Sequence, residues 1–381
     1  MATDTPRFAM VAGEASGDLL AGLLLGGLKA RWPGLESHGI GGPRMAEHGF
    51  QAWWPHTKLA VRGYTEVLLR LRELLRIRRE MGDRVLQERP DAFIGVDAPD
   101  FNLGLETRLK AQGVKTIHFV GPSVWAWRSD RILKIGQAVD HILCLFPFEP
   151  ALYAKHGIGA TYVGHPLADT IPMEVPRDAA RAALGLAPGD TVVALLPGSR
   201  GGEIKYIAPK LLAAAELMVK QRPGLKFVLP VVPGLRKLVE PLVPRLAPTA
   251  GVVLLDGRSH EALAACDVTL IASGTATLEA ALFKRPMVIT YTIHYLEWLR
   301  LRRLQLQPWI GLPNILFNEF VVPELIQQKA TPEALAQGAF DWLDQPARAA
   351  ALAERFAGLH RELRRNTAQA ATDAIEKVLA A

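Results

Sequence analysis

Twice along this chain, short runs of apolar and β-branched residues alternate with stretches of helical periodicity, and that rhythm admits few folds. In the front half, Arg7–Ala12 (RFAMVA) predicts a strand, residues 18–31 a helix, and Ala92–Val96 (AFIGV) a strand. Residues 103–112 predict a further helix, and 116–120 and 141–145 two more strands. The rhythm pauses at GHPLAD (164–169) and a proline-containing stretch at 171–177, which reads as a linker. It restarts with strands at 191–196, Lys226–Val231, 252–255, 268–271 and 286–290, and with helices at 203–221 and 276–283. From residue 331 the chain is alanine-rich and helical. Strands joined by helical crossovers make parallel sheets with helices on both faces. The prediction is therefore α/β, with two Rossmann-like domains facing across a cleft. Residues 1–170 form the first domain and 171–344 the second, with the helices of 345–381 packing back on the first. In such sheets ligands gather beyond the carboxyl ends of the strands, so the chemistry is sought in the loops there.

Composition narrows the class. At 381 residues the chain is long enough for two cores, and 49% hydrophobic with 22% charged residues describes a folded protein rather than a disordered one. The first residues show no basic segment followed by an apolar one, so no signal peptide is expected, and no run of about 18 apolar residues predicts a spanning helix. Cys144 and Cys266 sit in apolar runs and read as buried thiols in a reducing compartment, with the cytoplasm as the address. A net charge of +6 suits a nucleotide, a phospholipid surface or a nucleic acid without choosing among them. Nucleic acid is disfavoured because the basic residues are spread among apolar helices, not interleaved with aromatics in a strip.

The loop in LLPGSRGGEI (195–204) has two competing uses. It is an ordinary strand-to-helix turn, or it is a cradle for phosphate. Gly198, Gly201 and Gly202 let backbone N–H groups approach a ligand. The following helix points its positive end there, and Ser199, Arg200 and Lys205 add polar and cationic contacts. A second loop, ASGTATLE (272–279), also comes after a strand and opens a helix, with Ser273, Gly274 and Thr275 at the turn. Glu279, one helical turn on, is placed to accept both hydroxyls of a ribose or is simply an acid near a helix start. Two such loops fit a nucleoside diphosphate. No GxxxxGK[ST], no GxGxxG after the first strand and no Asp-x-Asp pair occurs. No metal and no cofactor is expected, and backbone dipoles and Arg200 must neutralise the anion.

In the first domain, IGVDAPDFN (94–102) puts Asp97 at a strand end, where a carboxylate can take a proton from an attacking hydroxyl. Pro99 stops the strand, and Asp100 and Asn102 read as caps of the next helix. GEASGD (13–18) offers Glu14 and Ser16, with Ser16 more simply a helix cap. GGPRM (41–45) offers Arg44. In GPSVWAWR (121–128), Ser123, Trp125 and Arg128 line an acceptor pocket or plug the domain. The segment 61–81 sets Tyr64, Val67, Leu68, Leu71, Leu74 and Leu75 on one helical face, with Arg70, Arg72, Arg76 and Arg79 over much of the rest. Such a helix lies on an anionic membrane surface or packs on its own domain. The stretch 295–306 (YLEWLRLRRLQL) repeats the apolar-basic character.

VAGEASGD, GGPRM, IGVDAPDFN, PSVWAWR, VGHPLAD, LLPGSRGGEI, ASGTATLEA and LPN (312–314) occur in that order over nearly the whole chain. Together they resemble the lipid-A-disaccharide synthase family. The resemblance implies a glycosyltransferase of GT-B architecture that joins UDP-2,3-diacylglucosamine to 2,3-diacylglucosamine 1-phosphate, with inversion at the anomeric carbon. Its products are a β-1′,6-linked disaccharide 1-phosphate, a lipid A precursor, and UDP. Asp97 then corresponds to the family's base, Arg200 to the arginine of its nucleotide loop, Glu279 to the acid near the ribose, and Asn314 to a polar residue at the cleft. The resemblance further implies metal independence, peripheral attachment to the cytoplasmic face of the inner membrane, and a homodimer through the C-terminal region. A UDP-N-acetylglucosamine 2-epimerase-like enzyme is the nearest rival; a nucleotide-binding module is the rival from another class.

Overall fold

A computed structural model describes residues 5–59, 64–126, 131–302 and 306–380. Contacts divide the chain into two units, residues 1–169 with 363–381, and residues 170–362. The first unit holds a parallel sheet of β1 (Arg7–Ala12), β2 (Glu36–Gly41), β3 (Gln51–Pro55), β4 (Ala92–Val96), β5 (Thr116–Phe119), β6 (His141–Cys144) and β7 (Gly159–Tyr162), in the order β3-β2-β1-β4-β5-β6-β7. The second holds β8 (Val192–Leu196), β9 (Lys226–Val231), β10 (Val253–Asp256), β11 (Val268–Ala272), β12 (Met287–Tyr291) and β13 (Glu324–Ile326), ordered β10-β9-β8-β11-β12-β13. Both orders run outward from the first strand of the unit in one direction and then in the other, as in doubly wound nucleotide-binding sheets.

The central strands are apolar on both faces because helices cover both. Phe8, Met10, Ala12, Ile94 and Val96 pack on one side of the first sheet with Leu24, Leu25 and Leu28 of the helix Ala15–Arg31. Ala9, Val11 and Phe93 pack on the other with Ile77, Met81 and Val85 of the helix Tyr64–Glu88. Four strands lie outside the predicted set. In β2 (ESHGIG), Ser37, His38 and two glycines break the apolar run, yet Gly39 has to be glycine, since a Cβ there would collide with the Met10 carbonyl of β1. The strands β3 and β7 are half-exposed sheet edges, and β13 has only three residues.

The C-terminal region divides between the units, which corrects the expectation that all of 345–381 packs on the first. The helix Pro346–Leu363 groups almost entirely with the second unit. There Phe356 meets Phe317, and Arg355 pairs with Glu319 at 2.6 Å. Only the helix Thr367–Ala380 packs on the first unit, against Ala15–Arg31. Gly27 permits that approach, because a Cβ would sit 2.6 Å from the Ala368 carbonyl. Asp169, the last residue of GHPLAD, accepts hydrogen bonds from Asn366 N (2.9 Å) and Thr367 N (2.7 Å). A carboxylate there satisfies the open N–H groups of the last helix and complements its dipole.

The helix Tyr64–Glu88 divides its apolar residues between two roles. Leu74, Ile77, Met81 and Val85 pack on the first unit, whereas Leu71 and Leu75 stay exposed. The Tyr64, Val67 and Leu68 side chains lie outside the described residues. Arg70 is held by Glu73 (3.2 Å) and the Lys58 carbonyl (3.0 Å). Among the described residues no helix is long and apolar enough to cross a membrane. Cys144 and Cys266 are both buried free thiols, and burial pushes the Cys266 thiol up to about 12.

Candidate active site

In each sheet the strand order reverses beside the unit's first strand, and the two loops that open there are the natural ligand site. In the second unit those strands are β8 and β11, paired through Leu196 and Ile271. The adjacency brings together Gly198, Ser199 and Arg200 from one loop and Ser273, Gly274 and Thr275 from the other.

The first loop carries its own acid. Gly198 has φ +106°, and a Cβ there would collide with the Glu203 carboxylate. Glycine thus lets Glu203 fold back over the loop, where its Oε2 accepts from Ser199 N (2.8 Å) and Arg200 N (3.2 Å). An acid in this place satisfies orphan N–H groups and complements the helix dipole. The start of the helix Gly201–Gln221 remains open. Gly201 and Gly202 are exposed, and a Cβ at Gly202 would meet nothing within 4 Å. The Arg200 side chain is 81% exposed, 3.8 Å from Glu203 Oε1, and Lys205 is exposed one turn further on. The loop therefore presents an exposed guanidinium and two exposed glycines, while Glu203 occupies its first N–H groups.

In the second loop, Ser273 braces the chain. Its N donates to Thr290 O (2.9 Å) and its Oγ to Ile310 O (2.8 Å). Gly274, at φ +151°, and Thr275 are exposed, with no atom within 4 Å of the position of a Cβ on Gly274. Glu279 lies one turn along the helix Thr275–Leu282, its Oε2 3.7 Å from His260 Nε2. The nearby Glu279 carboxylate raises the His260 pKa, against the opposing effect of burial. His260 was not among the predicted residues, because nothing in RSHEAL couples it locally to a loop so much later in the chain.

Asn314 requires a correction. It is fully buried, and its own unit uses its entire side chain. Its Nδ2 donates to Val322 O (2.9 Å) and Glu324 Oε1 (2.8 Å), while its Oδ1 accepts from Val321 N (2.8 Å) and Val322 N (3.0 Å). It fastens the turn leading into β13 and has no group left for a ligand.

In the first unit the reversal falls between β1 and β4, paired through Ala12 and Val96. It brings Glu14 and Ser16, both exposed, to the side of Asp97. Glu14 occupies the position before the helix Ala15–Arg31 and makes no capping bond, so Ser16, already inside the first turn, does not cap that helix. Asp18 does more than either. Its buried carboxylate accepts from Gly42 N (2.8 Å), Arg44 N (3.0 Å) and Met45 N (3.2 Å), which fixes GGPRM to the first helix. The Arg44 side chain stays exposed beside Glu47, at 3.2 Å.

Asp97 is half-buried, with φ +52°, and Ala98 comes next at φ +44°. Two successive non-glycine residues in the left-handed region cost on the order of 1–3 kcal/mol each, and such strain concentrates at functional sites. Backbone bonds hold the turn: Asp97 N donates to Phe119 O (2.9 Å), and Asn102 Nδ2 donates to Asp97 O (2.8 Å). Ala98 precedes the helix Pro99–Lys110, so Asp100 and Asn102 do not cap it. Asp100 instead pairs with Arg131 at 2.9 Å.

Trp125 is half-buried and packs within its own unit. Its ring edge meets Phe146 and Phe148, at 6.1 and 5.3 Å between centroids, and its Nε1 donates to Glu149 Oε1 at 3.1 Å. Burial pushes the Glu149 carboxyl up to about 7, against the bonds from Phe146 N and Trp125. Ser123 is exposed on this loop. Arg128 lies outside the described residues.

Comparison with known proteins joins these features to a family. The family model for lipid-A-disaccharide synthetase matches residues 8–375. A lipid-A-disaccharide synthase of Albidiferax ferrireducens is 59% identical over 378 residues, which cover 98% of this chain and 97% of that protein. Among solved structures, a UDP-GlcNAc 2-epimerase of Neisseria meningitidis bound to UDP-GlcNAc superposes with a TM-score of 0.66 at 11% identity, covering 98% of this chain and 100% of that one. A glycosyltransferase of Rickettsia africae gives 0.62 at 10% identity, covering 100% and 99%. At such low identity these two structures speak to the fold, two Rossmann-like domains of GT-B type, whereas the sequence matches span the chain. The chain belongs to the lipid-A-disaccharide synthetase family of glycosyltransferases.

Proposed function

We propose that this chain joins UDP-2,3-diacylglucosamine to 2,3-diacylglucosamine 1-phosphate, giving the β-1′,6-linked disaccharide 1-phosphate and UDP. The observation that carries the reading is the family match over residues 8–375, and the open glycines beside the β8–β11 reversal are compatible with it. The second unit takes the donor: Arg200 and the amides of Gly201 and Gly202 meet the diphosphate, and Glu279 the ribose. Asp97 of the first unit takes the proton of the acceptor 6-hydroxyl as its oxygen attacks the anomeric carbon opposite UDP. The bond to the diphosphate breaks in the same displacement, its electron pair leaves with UDP, and the centre inverts. Charge builds on the leaving diphosphate, where preorganised donors lower the barrier. No metal takes part. Exposed Leu71 and Leu75, among the arginines of their helix, hold the protein to an anionic membrane surface on the cytoplasmic side.

Incubation of the purified chain with UDP-2,3-diacylglucosamine tests the reading. UDP should appear only when 2,3-diacylglucosamine 1-phosphate is present, at a rate unchanged by a chelator, with the protein bound to anionic vesicles at low salt and released at high salt. Conversion of UDP-N-acetylglucosamine to its 2-epimer would favour the epimerase instead. Activity lost to a chelator and restored by magnesium would contradict the metal-free displacement.

A further inference from the structure

Beneath the Asp97 turn the first unit buries an ionisable pair that the proposed displacement does not use. His118 of β5 and Glu106 of the helix Pro99–Lys110 are both fully buried, with His118 Nδ1 2.8 Å from Glu106 Oε1. The strand register sets this up. Gly95 of β4 lies opposite His118, and a Cβ on Gly95 would collide with the Glu106 carboxylate, so the missing side chain makes the space for it. Two residues on from Gly95 is Asp97, whose N–H bonds the carbonyl of Phe119, the residue after His118. From the helix side, Asn102, one turn before Glu106, bonds the Asp97 carbonyl.

The pair is unlike ordinary core packing. Among the described residues, His118 Nε2, Glu106 Oε2 and Asn102 Oδ1 are all buried without a hydrogen-bond partner. Apolar residues of similar volume commonly serve a core as well as or better than a buried ion pair. Burial alone would strip the proton from His118, but the charge and hydrogen bond of Glu106 and the charge of Asp97 outweigh it and hold the imidazole protonated more firmly than a free one. The imidazole thus stands under the strained turn, with the Glu106 side chain against it.

We propose that Glu106 and His118 are positioning residues for Asp97: together with Asn102 they hold the left-handed Asp97–Ala98 turn so that the Asp97 carboxylate is presented in one orientation to the acceptor hydroxyl. The proposal rests on the reading of Asp97 as the base. Neither residue touches substrate; both act through the turn above them. Groups that act through one catalytic residue lose their effect when that residue is removed, and the resulting non-additivity is measurable.

The test is a double-mutant cycle in the full-length protein. E106Q keeps the shape and removes the charge; H118Q removes the imidazole. Each should lower kcat about 10- to 100-fold, the scale of a misplaced reacting group. KM for both substrates should stay within about twofold of wild type, a change too small to count as lost binding. In the Asp97→Asn background neither should lower the residual rate further. Wild-type kcat in E106Q and H118Q, with Asp97→Asn impaired, would overturn the positioning role and leave the base assignment standing. A normal rate in Asp97→Asn itself would remove the base assignment first. Unfolding of both variants, or parallel losses in kcat, KM and melting temperature, would mark the pair as a structural brace and overturn the proposal.

Discussion

Replacing Asp97 by Asn is expected to lower kcat by about 10²–10⁴-fold, the usual contribution of a positioned general base, and to leave UDP-sugar binding intact. The substitution suits the site. The left-handed turn is held by main-chain atoms of residue 97, through Phe119 O and Asn102 Nδ2, which an asparagine also presents. Asparagine adopts the left-handed region more readily than most residues, so φ +52° is no obstacle to it. On the proposed displacement the variant lacks only a carboxylate to receive the proton of the 6-hydroxyl. Steady-state kinetics of the variant, with donor affinity measured separately by calorimetry, check this. A kcat at the wild-type level would take Asp97 out of the mechanism.

Arg200→Ala is the second large effect, expected to reduce kcat by about 10²–10³-fold, or roughly 2.7–4 kcal/mol of transition-state stabilisation. The fold gives no reason for a stability loss. The side chain is four-fifths exposed, and its pair with Glu203, at 3.8 Å, is of the exposed kind that contributes little. Activity should therefore collapse while the melting temperature stays put. Turnover near wild type would show that the diphosphate does not depend on this guanidinium. A parallel fall in activity and melting temperature would place Arg200 in the architecture of the loop.

The placement of these two residues at the carboxyl ends of strands was legible in the sequence because each lies just beyond an uninterrupted apolar run. AFIGV and VVALL read as strands buried on both faces, and the residues after such a strand sit at its carboxyl end. The reverse order of the strands was not legible, since pairing partners are set by crossovers that leave no local mark. β2 shows the same limit, for its Gly39 serves a close approach to β1 rather than an apolar pattern. The folding back of Glu203 was hidden as well. The acid lies three residues after an arginine, not after the serine or threonine that usually announces such a cap. Asn314 was placed at the cleft only through the family resemblance of LPN. Its real partners, Val321, Val322 and Glu324, reach it only when the next turn closes. Glu106 and His118 meet for a similarly non-local reason: β5 lies beside β4 with His118 opposite a glycine.

A crystal structure of the protein with UDP bound is the most direct check on where the reaction is held. It should show the diphosphate within hydrogen-bonding distance of Arg200 and the amides of Gly201 and Gly202, and the ribose hydroxyls on Glu279. Nucleotide seated instead at the β1–β4 reversal, against residues 13–16 and Asp97, would contradict the assignment of donor and base to separate units.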